Sequence, residues 1–512
     1  MPLLSRYLIV IPAVLILSVA LSKGAGRFGI PGLSVFLFIG LLLGPEGAAV
    51  VPFSNVAVAQ VLGILALILI LHAGGLSTPL DDVRAVRGMA LTLSTVGVLI
   101  ASALVAAFAG RFLHLDWRQG LLLGAAIAST DVAAVFTILR SRSVSLAGRI
   151  RPLLELESAL NDPTTVFLGI GMLRLMTQPG LSVWMLVPTF FVQMGIGLAL
   201  GLAGGRIMRW AINHARLEFE GLYPVLSVAL VVLLYGITDS LGGSGFLAAY
   251  VAGIDLGNRA YVHKRSLIVF HDGVAWLMQI LMFLTMGLIA RPSDLIAIAP
   301  AGFGLAVFLV FIARPVSVLV CLSPFRSGFP ERLMVSWAGL RGAVPIVVAS
   351  YPLIADVPGA RTIFNLVFFV VLLSVTLQGT TIPSVARWLG VAAPLHRRVP
   401  YPIEYNPTED TTNELTEIAV QPGARAVGRA LVDLALPDQA LVVLIRRDDA
   451  MIVPRGATVI QPDDRLLVLA RAEALPQIRS ALQERAAKDH EANAEIDHEA
   501  RDVDQRRNER RG

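Results

Sequence analysis

The stretch "ELESALNDP" places Glu157, Ser158, Asn161 and Asp162 within two helical turns, next to a long apolar run. On a helix Ser158 and Asp162 share one face, and Glu157 and Asn161 share the adjacent one. A hydroxyl and a carboxylate on one face are hard oxygen ligands suited to a small monovalent cation. The second face offers an acid that, at membrane depth, needs a cationic partner. Removing water from a carboxylate disfavours its charged form. The same oxygen pair then takes either H⁺ or a dehydrated cation, so competition at one carboxylate is in itself an exchange mechanism. Asp162 is the acid left for that chemistry.

Two further segments carry ionisable groups into apolar surroundings. "ASTDVAAVF" holds Thr130 and Asp131 amid small residues, and "WAGLRGAVPIVVA" (337–349) holds Arg341 among Gly339, Gly342 and Pro345. Gly and Pro at that depth fit a helix interrupted there, with freed backbone groups lining a polar cavity. Arg341 is the expected partner of Glu157, and such a buried pair costs on the order of 3–5 kcal/mol to break. The plainer readings stay open: Asp131 or Asp162 as satisfied structural groups, and Arg341 as a cation that only neutralises an acid. His72, Asp239, Asp255 and His271 are lesser candidates.

These residues need a scaffold, and composition names it. The 512 residues are 55% hydrophobic and 15% charged, with a mean hydropathy of +0.71. The apolar residues fall in blocks of about 18–25, enough to cross a hydrocarbon core of about 30 Å. About thirteen spans are expected, running from 4–22 to 361–387, with 119–139, 152–176 and 332–352 carrying the segments above. Spans five and twelve, the two interrupted ones, stand seven apart, which suits an inverted repeat with its site at the midplane. The expected fold is therefore an all-α polytopic membrane domain over 1–395 with two crossing broken helices. Cys321 is the single cysteine, so no intrachain disulfide forms.

Charge sets the topology. Lys and Arg, Arg314 among them, number about 20 in alternate loops against about six in the others, which puts the N-terminus outside and the C-terminus in the cytoplasm. The pI near 9.6 thus reports orientation, and no nucleic-acid partner is implied. The first apolar block lacks a convincing cleavage site and is taken as the first helix. After about residue 400 the chain changes character. "LTEIAV", "ALVVLIRR", "AMIVP" and "RLLVLAR" read as strands and "GARAVGRALVDLAL" has helical spacing, which gives a small cytoplasmic α+β domain over 403–484. The charged segment 485–512 is expected to be disordered.

"STDVAAVF", "ELESALNDP" and "GLRGAVPI" together resemble the monovalent cation:proton antiporter-1 family. "AWLMQILMFLTMGL" is similar to its bacterial potassium/proton branch, of the cell-volume-regulation type. The tail from "ELTEIAV" to "RLLVLA" resembles the C-terminal subdomain of regulator-of-potassium-conductance modules. The resemblance implies a homodimer in the inner membrane of a bacterium, with one domain moving like an elevator against a fixed one. It puts the ion at Asp162 with Thr130, Asp131 and Ser158 as neighbours, and Glu157 paired with Arg341. Asn161 before Asp162, where other members have a second Asp, resembles the electroneutral group. Val132 stands where the family usually has Pro. Ala73, beside His72, stands where it usually has an acid, so His72 is either a pH-sensitive substitute or a structural group.

The substrates implied are K⁺ or Na⁺ and H⁺, without a cofactor or a resident metal, and without enzymatic activity. A small nucleotide-like effector at the cytoplasmic domain would regulate transport; the plainer reading of that domain is a dimerisation element. Two other functions are set against this one. "GGSGF" (242–246) matches the serine motif of intramembrane proteases, with Ser244 as nucleophile and His271 as base. A channel is suggested by the potassium-type module, but no filter-like repeat occurs.

Overall fold

The computed structural model describes residues 3–28, 31–51, 53–178, 180–394, 413–437, 440–448 and 450–483. The chain divides into two compact units, Met1–Arg398 and Val399–Gly512. The segments 403–412 and 485–512 lie outside the described residues.

The first unit is helical: α1 (Leu3–Phe28), α2 (Gly32–Leu43), α3 (Val56–Leu76), α4 (Leu80–Thr92), α5 (Val98–Phe112), α6 (Trp117–Ala128), α7 (Val132–Ser141), α8 (Ile150–Thr177), α9 (Leu186–His214), α10 (Leu222–Ser240), α11 (Gly245–Gly257), α12 (Lys264–Ile289), α13 (Pro292–Phe308), α14 (Arg314–Leu322), α15 (Phe329–Trp337), α16 (Val344–Ile354), α17 (Ala360–Leu373) and α18 (Gly379–Trp388). Among the described residues, eight helical stretches are long and apolar enough to cross a membrane by length and composition. Leu8–Ser22, Gly32–Leu43, Gly245–Gly257 and Val344–Ile354 are shorter apolar helices. A two-stranded ribbon joins β1 (Val144–Leu146) to β2 (Ala392–Pro394).

Local chemistry sets where helices begin. Asp116 and Gln119 form a reciprocal capping box at the start of α6. Asn55 caps α3 through the Val58 amide, and Ser244 caps α11 through the Leu247 amide. Interruptions come in two kinds. Single π-helical turns join α4 to α5 (Leu93–Gly97), α13 to α14 (Leu309–Ala313) and α17 to α18 (Ser374–Gln378). Full breaks separate α6 from α7 and α15 from α16. The first two π turns and the two breaks each recur in helical stretches seven apart, as an internal repeat requires.

Two bundles result. In one, α11 packs on α3, α9 and α10, and α12 packs on α2 and α3; in the other, α6 packs on α5 and α8, and α13 and α16 pack on α17. Small residues allow the closest crossings: a Cβ on Gly75 or Gly253 would overlap backbone of the other helix, so α3 and α11 touch main chain to main chain.

The second unit is an antiparallel sheet of β3 (Asn413–Ala419), β4 (Leu441–Arg447), β5 (Ala450–Ile452) and β6 (Arg465–Arg471), in the order β3-β6-β4-β5, with α19 (Leu475–Gln483) behind it. Ile418, Ile445, Leu466, Val468, Ile478 and Leu482 form its core. The segment 423–436, expected to be helical, is instead a run of turns with one 3₁₀ turn at Leu431–Leu434. Gly423 and Gly428 take positive φ, and the Gly428 and Leu431 amides donate to Ile460 and Thr458 carbonyls at 2.9 and 3.0 Å. Backbone pairing with a neighbouring segment outweighs the helical spacing of Ala, Val and Leu; the domain's helix is α19.

Candidate functional site

The two helix breaks cross. The Asp131 amide donates to the Leu340 carbonyl at 2.7 Å, linking one break to the other. A Cβ on Gly342 would overlap the Asp131 carboxylate, so only glycine permits this approach. Several of the freed backbone groups find partners. Arg341 donates through Nη1 to the Ala128 and Ser129 carbonyls, both at 2.8 Å, which closes the C-terminal end of α6. Asp131 caps α7, its Oδ1 accepting from the Ala134 amide at 3.1 Å. The Arg341 amide donates to Ser374 Oγ at 3.0 Å, and Ser374 donates to Gln378 Oε1 at 2.5 Å. Gln378 Nε2 then reaches the Trp337 carbonyl at 3.2 Å.

Helix α8 lies against the first break. Ser158 Oγ donates to the Thr130 carbonyl at 2.7 Å and accepts from the Val132 amide at 3.3 Å. Asn161 Nδ2 donates to Thr130 Oγ1 at 2.7 Å. Asn161 Oδ1 also accepts from the Thr130 amide at 3.5 Å, so both side chains meet broken backbone. Asp162 differs. Its Oδ1 accepts from Ser129 Oγ at 2.6 Å. Its Oδ2 has no hydrogen-bond partner among the described residues and faces a cavity of about 270 Å³. The cavity lies between the bundles. Ser129, Thr130, Asp131, Ser158 and Asp162 stand on one wall. It extends to Arg140, Arg151, Glu155 and Asp272, next to a loop rich in arginine.

The expected Glu157–Arg341 pair is not formed. Glu157 is 1% exposed and pairs with Arg314, itself 5% exposed, through Nη1–Oε1 and Nη2–Oε2 contacts of 2.6 and 2.9 Å. Arg314 Nη2 also donates to the Val335 carbonyl at 3.3 Å. By charge pattern alone Arg314 reads as a loop cation. It instead opens α14 directly after a π turn, which turns its side chain inward. Arg341 is held by the carbonyl ends of α6, where the partial negative charge of a helix C-terminus suits a cation.

The lesser candidates scatter. His72 Nδ1 lies 3.1 Å from the Ala249 carbonyl, and its ring meets that of His271 edge-on at 5.0 Å. His271 Nε2 lies 2.8 Å from Ser227 Oγ. Both rings are buried inside the bundle of α3, α10, α11 and α12, and neither lines the Asp162 cavity. Asp255 pairs with Arg259 at 3.1 Å, and Asp239 is exposed at the end of α10. Ser244 is a helix cap and His271 bonds to Ser227 instead, so the Ser244–His271 pair that the protease reading expects is not formed. Ser129, Arg314 and Ser374 are the site residues that the sequence reading missed. Ser129 alone left a signal, as a hydroxyl directly before Thr130 and Asp131.

Comparison with known proteins agrees with this architecture. The family described as "Sodium/hydrogen exchanger, transmembrane" matches residues 13–388, and the TrkA-C domain matches 415–483. The K(+)/H(+) antiporter NhaP2 of Shewanella baltica (strain OS223) is 37% identical over 464 residues, 90% of this chain and 80% of that one. The K(+)/H(+) antiporter NhaP of Alkalimonas amylolytica is 35% identical over 479 residues, 93% of this chain and 83% of that one. In structure, the sodium proton antiporter MjNhaP1 from Methanocaldococcus jannaschii at pH 8 superposes with a TM-score of 0.66 at 24% identity, covering 76% of this chain and 99% of that one. The chain belongs to the sodium/hydrogen exchanger family.

Proposed function

We propose that this chain is a multi-pass membrane antiporter that exchanges a monovalent cation, K⁺ first, for H⁺, with both passengers competing for Asp162. One observation carries the reading: a buried carboxylate with one oxygen held by Ser129 and the other open to a polar cavity. In water an ordinary Asp would be protonated only about once in a thousand at pH 7. Held where its charged form lacks full hydration, it exchanges a proton for a cation, because each occupant satisfies the oxygen that the other leaves. Thr130 and Asp131 stand beside it as further oxygen donors. Ser158 and Asn161 act one step back, by fixing the break that presents them. The names of the Shewanella and Alkalimonas relatives favour K⁺.

The reading extends to properties beyond the site. One cation exchanges for one H⁺, so transport is insensitive to a potential that otherwise contributes about 2.3 kcal/mol per charge per 100 mV. The N-terminus lies outside and the C-terminus in the cytoplasm of a bacterial inner membrane, and the chain works as a homodimer. The domain matching TrkA-C takes a small effector that biases transport. The test is cation-driven proton flux in proteoliposomes at several imposed potentials. A saturable flux that opposes the proton flux and ignores the potential is expected. Non-saturating cation flux without proton movement would instead identify a channel. Truncation after residue 400 should alter the response to pH or effector; an unchanged response would remove the regulatory role.

A further inference from the structure

Across the cavity from Asp162 stands a wall built by α3, α11 and α12. Asp272, Trp276, Gln279 and Met282 of α12 line it, spaced by three or four residues, so they form one stripe of that helix. Asp272 is exposed at the mouth; Gln279, seven residues on, lies about 10 Å deeper along the axis. Gln279 is 7% exposed, and its amide has no hydrogen-bond partner among the described residues. The amide is not among the fully enclosed polar groups that lack a partner, so it opens into the cavity, and whatever occupies that space supplies its hydrogen bonds or ligand contacts. On this wall the only carboxylate among the described lining residues is Asp272, at the mouth.

We propose that Gln279 is a cation-binding residue of the opposite bundle. Its carbonyl oxygen replaces part of the hydration shell of an alkali cation approaching Asp162 from the cavity mouth. The inference rests on the antiport reading and adds to it a neutral donor outside the crossing helices. A neutral carbonyl oxygen substitutes for water without fixing a second charge beside Asp162. It lowers the barrier to dehydration while leaving the carboxylate to decide between cation and proton. It also makes the donor set depend on how the two bundles are placed, because Gln279 and Asp162 belong to different ones.

The test uses everted membrane vesicles, which present the cytoplasmic face to added K⁺ or Na⁺, with the full-length chain and its Gln279→Met, Gln279→Ala and Gln279→Glu variants. Methionine keeps the volume and removes the amide. Gln279→Met is expected to raise KM for the cation about three- to tenfold with the maximal rate within about twofold. Gln279→Glu, which restores an oxygen donor, should return KM to or below the wild-type value. Thermal unfolding of the purified variants is measured alongside. An unchanged KM in a stable Gln279→Met or Gln279→Ala protein overturns the proposal. So does a joint loss of rate and thermal stability in the Gln279→Met and Gln279→Ala proteins, because that is a packing role, which the near-isosteric Gln279→Glu would relieve as well. Wild-type vesicles that exchange no cation at all would defeat the antiport reading instead, so the two failures are distinguishable.

Discussion

Glu157 and Asp162 lie five residues apart on α8 and are both buried, yet their surroundings differ in kind. Glu157 meets a guanidinium with both oxygens, and Arg314 is in turn tied to the Val335 carbonyl. Asp162 has a single hydroxyl donor on one oxygen and a cavity before the other. A carboxylate neutralised by a bidentate partner gains little from a passing cation or proton. One with a free oxygen is open to both. The same residue chemistry is thus architecture at one position and, in the reading proposed here, transport at the other.

Substitutions can break this contrast, and the largest effect should fall on Asp162. Asp162→Asn keeps the Ser129 contact and the side-chain volume but removes the charge, so exchange should drop about 100-fold or more while thermal unfolding barely moves. Arg314→Ala should do the reverse: it strands a buried carboxylate, costing about 3–5 kcal/mol in stability, seen as a lowered unfolding temperature and poor yield. Replacing both partners, with Glu157→Gln and Arg314→Met together, should recover part of that loss, which a double-mutant cycle measures. If the double variant is no more stable than the single one, the bidentate pair is not what holds α8 to α14.

The crossing itself was partly legible in the sequence, and the reasons are specific. Gly339, Gly342 and Pro345 mark an interruption, because local backbone preference encodes it; Asp131, read as mid-span among small residues, is instead the cap of α7. The partner of Glu157 was not legible. Arg314 and Arg341 have the same side chain, and which of them reaches α8 depends on the phase of α14 after the Leu309–Ala313 π turn. One extra residue per turn leaves no mark in composition or hydropathy. Gln279 stood in plain view as a polar residue inside "AWLMQILMF", but its meaning needed the cavity. In the tail, two glycines with positive φ defeated a helical pattern that the apolar spacing alone supported.

Smaller effects sharpen the comparison. Arg341→Ala leaves the Ala128 and Ser129 carbonyls without their cation and should cost about 1.5–3 kcal/mol of stability, less than Arg314→Ala, because no carboxylate is stranded. A loss equal to that of Arg314→Ala would mean that Arg341 also carries part of Glu157's charge. Ser129→Ala removes the one hydrogen bond to Asp162 Oδ1 and should change the KM for the cation about fivefold, corresponding to ~1 kcal/mol, with unfolding unaffected. An unaltered KM would show that the hydroxyl does not shape the binding carboxylate.

The central claim is that one carboxylate serves two positive passengers in alternation. Dequenching of a pH-sensitive dye in everted vesicles, with K⁺, Na⁺, Rb⁺ and Li⁺ added in turn to wild type and Asp162→Asn at matched amounts, tests it most directly. The account predicts cation-dependent proton movement in the wild type, with apparent cation affinity falling as the pH is lowered, and none in the variant. Residual coupled exchange above a few per cent in a folded Asp162→Asn protein would contradict it.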